Sequence, residues 1–295
     1  MKALVVSDMH IRETKPSLRV DENWFRVQAL KLRDIVEIAV EEDVGVVFFL
    51  GDIFDSPFPT FRVFTLVAVF LKRLKERGIH CYTVIGNHDC RGYNLETYNQ
   101  CALGSLVRLG LIEKLDTIKL DKYTIKAIHT RRDFDIKDYS GDIIFTHDMI
   151  SDKEVPYECI LADALDEASC RLVFSGHNHK FFVKGKVVNP GSILRIDCTE
   201  EDVARRVHVF VLHFSEYGIS CYERVLPSAK QGYLVFDLKK KEVLQKREEF
   251  LEKLKSLSLE HISAQGIVRK IKEVCEKLSF PESVFIEAQR RLLDV

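Results

Sequence analysis

The stretch Cys81-Tyr82-Thr83-Val84-Ile85-Gly86-Asn87-His88-Asp89 decides how the rest of the chain is read. Five apolar or β-favouring residues break at a glycine, and an amide, an imidazole and a carboxylate follow without a gap. A segment of this shape is a buried strand that ends in a turn and projects polar side chains from its carboxyl end. Four other segments repeat the plan. Ala3-Leu4-Val5-Val6-Ser7 leads to Asp8 and His10, the apolar run 44–50 leads to Gly51-Asp52, Ile143-Ile144-Phe145-Thr146 leads to His147, and Leu172-Val173-Phe174-Ser175 leads to Gly176-His177-Asn178-His179. Five of the ten histidines thus fall at strand ends beside Asp or Asn, and strands that deliver metal-type ligands at one common end build one site.

Outward from these anchors, the first half alternates strand and helix. A strand at 2–7 is followed by a polar stretch, 11–20, whose Arg12, Lys15 and Arg19 are expected to be solvated loop charges. Asp21 is expected to cap a helix carrying Trp24, Phe25, Leu32, Ile35, Val36 and Ala39 at helical spacing. Strand 45–50, helix 60–77, strand 79–85, a helix at 94–108, strands within 117–128 and strand 142–146 come next. The remainder reads as consecutive strands at 171–175, 181–188, 206–214, 219–225 and 233–237. Alternating units followed by consecutive strands predict an α/β fold of two packed mixed β-sheets with helices outside.

Composition sets limits. With 295 residues and 46% hydrophobic content, the chain can bury a large core. Its 44 basic and 45 acidic residues leave a formal charge of -1, so no global positive field announces nucleic acid. The eight cysteines show neither a Cys-x-x-Cys pair nor zinc-knuckle spacing, which points to reduced thiols in a cytoplasmic protein. No apolar run is long enough for a bilayer and the N-terminus enters a strand at once, so no membrane association is expected.

On an extended chain, residues i and i+2 point the same way, so Asp8 with His10, and His177 with His179, are expected to act as two-toothed clamps. Glycines at 51, 86 and 176 let these turns approach one another. Ligand ends of this kind lie where open α/β sheets carry their active sites. His208 and His213 differ by an odd number on one strand and cannot form a clamp. His129 with Arg131 and Arg132 is expected to be a surface cluster, and Asn189-Pro190-Gly191-Ser192 a turn.

Together, Asp8-x-His10, Gly51-Asp52, Gly86-Asn87-His88-Asp89, His147 and Gly176-His177-Asn178-His179 resemble the five signatures of the calcineurin-like metallophosphoesterases, in order, over residues 1 to about 238. The resemblance implies a four-layer sandwich and two divalent metal ions. It places Asp8, His10, Asp52 and His179 on one ion and Asp52, Asn87, His147 and His177 on the other, with Asp52 bridging. It also implies hydrolysis of a phosphoester by a metal-bridging hydroxide, with His88 as the non-ligand histidine that stabilises the transition state and protonates the leaving oxygen. Imidazole suits proton exchange near neutral pH. Asp55 stands where many family members hold that histidine with a carboxylate, so a hydrogen bond from Asp55 to His88 is expected. Imidazole, carboxylate and amide ligands suit manganese, iron or zinc.

Within the superfamily, Gly51-Asp52-Ile53-Phe54-Asp55-Ser56-Pro57 lacks the arginine of the phosphoprotein phosphatases and is more similar to the SbcD-type DNA repair exonucleases. That resemblance implies a manganese-dependent DNA exonuclease or endonuclease with an SMC-like (SbcC-type) ATPase partner. The alternatives are a phosphodiesterase or phosphatase for small-molecule or lipid phosphates, and a metal-free binding scaffold, against which the full ligand set argues. Residues 239–295 are expected to form a helical C-terminal extension that docks a partner, its own core or a second copy. Val243, Phe250, Leu251, Leu254 and Leu257 form one apolar seam and Ile267, Val268, Ile271, Val274, Cys275 and Leu278 another, and Ser279 with Glu282 resembles a capping box.

Overall fold

A computed structural model describes residues 1–131, 133–255, 264–277 and 280–293. They fall into two compact units, residues 1–236 and 237–295. In chain order the first unit contains β1 (Lys2–Val6), α1 (Trp24–Glu41), β2 (Val46–Phe49), α2 (Phe61–Lys75), β3 (His80–Thr83), α3 (Ala102–Arg108), β4 (Glu113–Lys114), β5 (Thr117–Leu120) and β6 (Tyr123–Ile128). There follow β7 (Ile143–Thr146), β8 (Ile150–Ser151), β9 (Ile160–Leu161), β10 (Leu172–Ser175), β11 (Phe182–Lys184), β12 (Val187–Asn189), α4 (Glu200–Ala204), β13 (His208–Ser215) and β14 (Gly218–Val225).

The strands form two six-stranded mixed sheets, ordered β14-β13-β1-β2-β3-β4 and β11-β12-β10-β7-β6-β5. Within the first, β1, β2 and β3 run parallel, and within the second β6, β7 and β10 do. Period-2 alternation sorts their side chains. Ala3, Val5, Val46, Phe48, Ile143, Phe145 and Phe174 fill the space between the sheets. Leu4, Val6, Val47 and Phe49 point the other way, onto α1 and α2. The sandwich is therefore apolar and buried through its centre, and truncating Phe48 or Phe145 to alanine would cost about 3–5 kcal/mol.

Both long helices follow from sequence. In α2, Val63, Val67, Phe70, Leu71 and Leu74 are buried at helical spacing, Thr60 Oγ1 accepts from Val63 N at 3.3 Å, and Lys72, Arg73 and Lys75 occupy the last turn, where the helix dipole favours cations. In α1 the cap is Asn23, whose Oδ1 accepts from Arg26 N at 2.9 Å, rather than Asp21. Asp21 instead pairs with Arg19. The outer face of the second sheet is covered by β8, β9 and the short 3₁₀ turns Ile136–Asp138 and Ala162–Leu165.

Three expectations change. Residues 94–108 are 3₁₀ turns (Leu95–Gln100) followed by the short α3, and the turn Arg91–Tyr93 before them holds Gly92 at φ +58°. Strand 181–188 is a hairpin of β11 and β12, turned at Gly185 with φ +55°. Strand 233–237 is a 3₁₀ turn, Gly232–Leu234, whose only β-like pairing among the described residues joins Phe236 to Arg19.

The second unit contains α5 (Leu238–Lys255), α6 (Ala264–Lys277) and α7 (Glu282–Leu293). Ile271, Val274 and Cys275 of α6 are buried and pack with Phe280, Phe285 and Ala288, so this face is closed by α7. Val243 is exposed. The side chains of Phe250, Leu251, Leu254, Leu257, Ile267 and Leu278, and the cap residue Ser279, lie outside the described residues. No described helix is long and apolar enough to cross a membrane.

Candidate metal centre

The carboxyl ends of β1, β2, β3, β7 and β10 meet, and each contributes polar side chains to one buried cluster. Strand alternation is not what aims them. Asp8, His10, Asp52 and His177 lie just past their strands with φ of +38°, +42°, +49° and +68°, a left-handed backbone that non-glycine residues adopt rarely and that recurs at functional sites. Each reversal turns a side chain back across the strand ends. Such close packing demands glycine between the turns. A Cβ on Gly86 would fall on Asp52 Oδ1, and one on Gly176 would stand 2.6 Å from Leu50 O and 2.9 Å from His147 Nδ1.

Among the described residues, candidate ligand atoms converge in three groups; one joins His10, Asp55 and His88, and the other two share no residue. Of those two, the first is Asp8, His10 and His179, which offer atoms within 4.8 Å of one another, and the second is Asp52, His147 and His177, which do the same. In the first group the Nε2 atoms of His10 and His179 face each other at 2.9 Å. In the second, His147 Nε2 lies 3.2 Å from Asp52 Oδ2 and 3.0 Å from Asn87 Oδ1. Asp52 Oδ2 also lies 3.4 Å from His10 Nε2, so this carboxylate reaches both groups. His177 and His179 therefore serve different groups and do not clamp one point.

Neighbouring groups fix the orientation of these side chains. His147 Nδ1–H donates to Leu50 O at 2.6 Å, which makes Nε2, facing Asp52 and Asn87, the nitrogen open to an ion once its own proton has left. The Asp8 carboxylate accepts from His177 N at 2.9 Å and from Ser7 Oγ. Asp89, fully buried, accepts from the main-chain N–H groups of Asp52 (2.9 Å), Ile53 (3.2 Å) and Gly86 (3.0 Å), and so ties the end of β2 to the end of β3. Nothing in the sequence singled out Asp89 for this task, although it closes the nine-residue stretch quoted above. Asp148 is a second such residue, buried beside His147 and held by Tyr139 Oη at 2.6 Å and Arg131 Nη2 at 3.2 Å.

The Asp55 carboxylate does not hold His88. His88 Nδ1 donates instead to the main-chain carbonyl of Asp55 at 2.8 Å, while His88 N donates to Asp52 Oδ1 at 2.8 Å. The Asp55 side chain turns toward the first group, with Oδ1 3.6 Å from His10 Nδ1 and 3.1 Å from Arg12 Nη1. Arg12 is thus engaged and not a solvated loop charge. Arg19 is likewise buried, between Asp21, Arg195 O and the Trp24 ring. His129 is no surface residue either. Its Nδ1 accepts from Ile85 N at 3.1 Å, which leaves Arg131 on Asp148 and Asp138; Arg132 lies outside the described residues.

Electrostatics agree with a cation site. Burial opposes protonation of His147, but Asp52 and Asp8 raise its pKa to about 10. At His10 burial also opposes, and Asp55, Asp52 and Asp8 raise it nonetheless. His177 goes the other way, to about 4, through burial and the charge on His147. Burial and the charge of Asp52 push Asp89 up to about 7. Protons on two rings thus offset the clustered carboxylates, the same deficit that a pair of divalent cations would fill. Imidazole nitrogens, carboxylates and one amide oxygen fit such ions by donor type.

Residues 1–213 match the model of the calcineurin-like phosphoesterase superfamily domain. Two archaeal DNA double-strand break repair proteins named Mre11 are similar over shorter spans. That of Sulfurisphaera tokodaii is 31% identical over 123 residues, 41% of this chain and 32% of the relative, and that of Saccharolobus solfataricus is 28% identical over 127 residues, 42% and 29%. The chain thus spans about a third of the length of these relatives. Among solved structures, a dimetal phosphatase from Danio rerio superposes with a TM-score of 0.50 at 13% identity, over 77% of this chain and 96% of that one, which speaks for the fold alone. With the signatures gathered at one end of the sandwich and the family model covering most of its length, the chain belongs to the calcineurin-like phosphoesterase superfamily.

Proposed function

We propose that the protein is a dinuclear-metal phosphodiesterase that cleaves DNA as an exonuclease or endonuclease of SbcD type, with manganese as the working metal. The observation that carries the reading is the pair of ligand groups sharing Asp52, with His88 hydrogen-bonded to that same carboxylate. Asp8, His10, Asp52 and His179 would hold one ion, and Asp52, Asn87, His147 and His177 the other. When bound, two such ions supply Lewis acidity toward phosphoryl oxygens and lower the pKa of water to about 7.

The chain's own residues supply orientation and protons. Leu50 O keeps the His147 proton on Nδ1 and Asp55 O keeps the His88 proton on Nδ1. Proton exchange at His88 then takes place at Nε2, the atom that would face the oxygen leaving phosphorus. The main-chain N–H of His88 fixes Asp52 Oδ1, so the ring and the bridging carboxylate keep a set separation. Asp89 holds Asp52 and Gly86 together from behind.

DNA as substrate is favoured by the break after Asp55, which lacks the phosphatase arginine, and by the similarity to Mre11 over 123 residues. A small-molecule or lipid phosphodiester is the second reading, favoured by the near-neutral charge. Purified protein with manganese should degrade linear DNA and bis-p-nitrophenyl phosphate, with p-nitrophenyl phosphate slower. Hydrolysis of the diester without any cleavage of DNA would favour the second reading.

In this proposal residues 1–238 are the catalytic domain and 239–295 the extension that binds an SMC-like ATPase by helix-in-groove contact or joins two copies. A chain ending at Leu238 tests it. Small-diester hydrolysis should persist while co-purification with the ATPase is lost, and an insoluble or inactive product would assign the extension to the core.

A further inference from the structure

We infer that Tyr93 is a stacking platform for a nucleobase, on the side of the scissile phosphate from which the sugar oxygen departs. The inference rests on the nuclease reading above and adds a residue that binds substrate outside the metal ligands.

Three observations meet at this side chain. The residue is 64% exposed, so it contributes little to any core. Its backbone is left-handed, φ +57°, directly after Gly92 at φ +58°, a conformation that a bulky residue seldom adopts without a functional reason. The turn that imposes it is well tied. Arg91 N donates to Thr97 Oγ1 at 2.8 Å, Asn94 N to Arg91 O at 3.2 Å, and Thr97 N to Asn94 O at 3.0 Å. A largely exposed aromatic side chain thus stands on a well-tied turn.

Position supplies the ligand. The Tyr93 ring lies edge-on to His88 with centroids 6.0 Å apart, and His88 in turn lies edge-on to His10 at 4.9 Å. Three rings lead from the first ligand group outward, and His88 is the middle one. Because His88 would give its proton to the departing sugar oxygen, the nucleotide bearing that oxygen comes to rest beside Tyr93. Every nucleobase has a π-face, so an exposed tyrosine there favours bases without choosing among them.

The test pairs the ring with the base. Cleavage kinetics are measured on an oligonucleotide and on one carrying an abasic residue on the leaving side, with metal content checked throughout. Tyr93→Ala should raise KM for the intact strand about tenfold, a typical loss for one base–aromatic stack, while Tyr93→Phe keeps it. The abasic strand should show the raised KM already with the unaltered protein, and Tyr93→Ala should add little to it. An unchanged KM for Tyr93→Ala, or equal losses on intact and abasic strands, overturns the platform and leaves the nuclease reading standing. If the unaltered protein hydrolyses only small diesters, the nuclease reading fails and the platform goes with it.

Discussion

The two halves of the candidate metal centre are built from similar ligands but held in different ways. His147, in the half it shares with Asp52, Asn87 and His177, is locked by a main-chain carbonyl, Leu50 O, directly after β2, a strand buried along its whole length. His10, in the half it shares with Asp8 and His179, is backed by the Asp55 carboxylate, which is a quarter exposed and itself paired with Arg12. A carbonyl at the buried end of a central strand cannot titrate and has little room to shift, whereas a partly exposed carboxylate in a loop can titrate. The difference predicts a rigid ion site and an adjustable one.

Removing ligands should have the largest effect and should be blind to this asymmetry. Asp52→Asn and His147→Ala are expected to reduce hydrolysis to background with loss of bound metal, because Asp52 reaches both groups and His147 anchors one. Metal analysis alongside turnover checks it; a fully loaded, inactive His147→Ala protein would remove that residue from the ligand set. His88→Ala should retain both ions and lose about 10²–10⁴-fold in turnover, the range for a positioned proton donor. Loss of metal in that variant would mean that His88 is a ligand.

Asp89 belongs to neither half but joins the strand ends that carry them. Replacing it with alanine strands three buried N–H groups, each worth about 1–3 kcal/mol, so a loss of at least about 3 kcal/mol in unfolding free energy is expected. Asp89→Asn retains an acceptor and should fall between. Denaturant unfolding of both variants measures the effect, and equal stability of the two would show that the carboxylate matters for its charge and not for the bonds it accepts.

The rigid half also makes a pH prediction for the metal-free protein. His147 is raised to about 10, above an unfolded value of about 6.5. Its protonated form therefore stabilises the fold fully below about pH 6.5, and that contribution declines as pH rises through about 10. Cations must displace this proton, so metal uptake at pH 7 should release protons and strengthen as pH rises. Calorimetry in buffers of different ionisation enthalpy reads the release; no proton release at pH 7 would contradict the raised pKa.

How much of this was legible in sequence follows from range. The ligands are readable because each ends a short apolar run, so one local pattern reports both strand and site. The two-sheet sandwich is readable for the same reason, since Ala3, Val5 and Phe48 alternate with Leu4, Val6 and Phe49. Asp55 was misjudged because its partners, His10 and Arg12, lie over forty residues away on a loop whose left-handed backbone no propensity reveals. The supposed strand 233–237 is β-favouring in Tyr233, Val235 and Phe236, yet among the described residues it pairs only through the single bridge of Phe236 to Arg19, and a ladder needs a longer neighbour. Residues 94–108 read as one helix because their composition is helical, but Asn94 and Thr97 use their side chains to close short turns instead.

The smallest expected effect separates the two halves most directly. Asp55→Asn keeps the size of the side chain and its reach toward His10 Nδ1 and Arg12, but removes the charge that helps raise His10 and is itself held below the usual carboxylate range, against its burial, by His10 and Arg12. An orienting carboxylate behind a metal-bound imidazole typically matters by about 10–100-fold. Because Asp55 is partly open to water, the lower end is expected, about tenfold in affinity for one ion. The other ion, held through His147 and the Leu50 carbonyl, should bind as before. Titration of metal-free Asp55→Asn protein with manganese should therefore resolve two unequal steps, only one of them shifted. His88 draws only on the Asp55 main-chain carbonyl, so turnover at saturating metal should remain close to that of the unaltered protein. A large loss of turnover with both ions bound would mean that the carboxylate acts on His88 after all. An equal shift in both steps would mean that the two halves respond as one unit through Asp52.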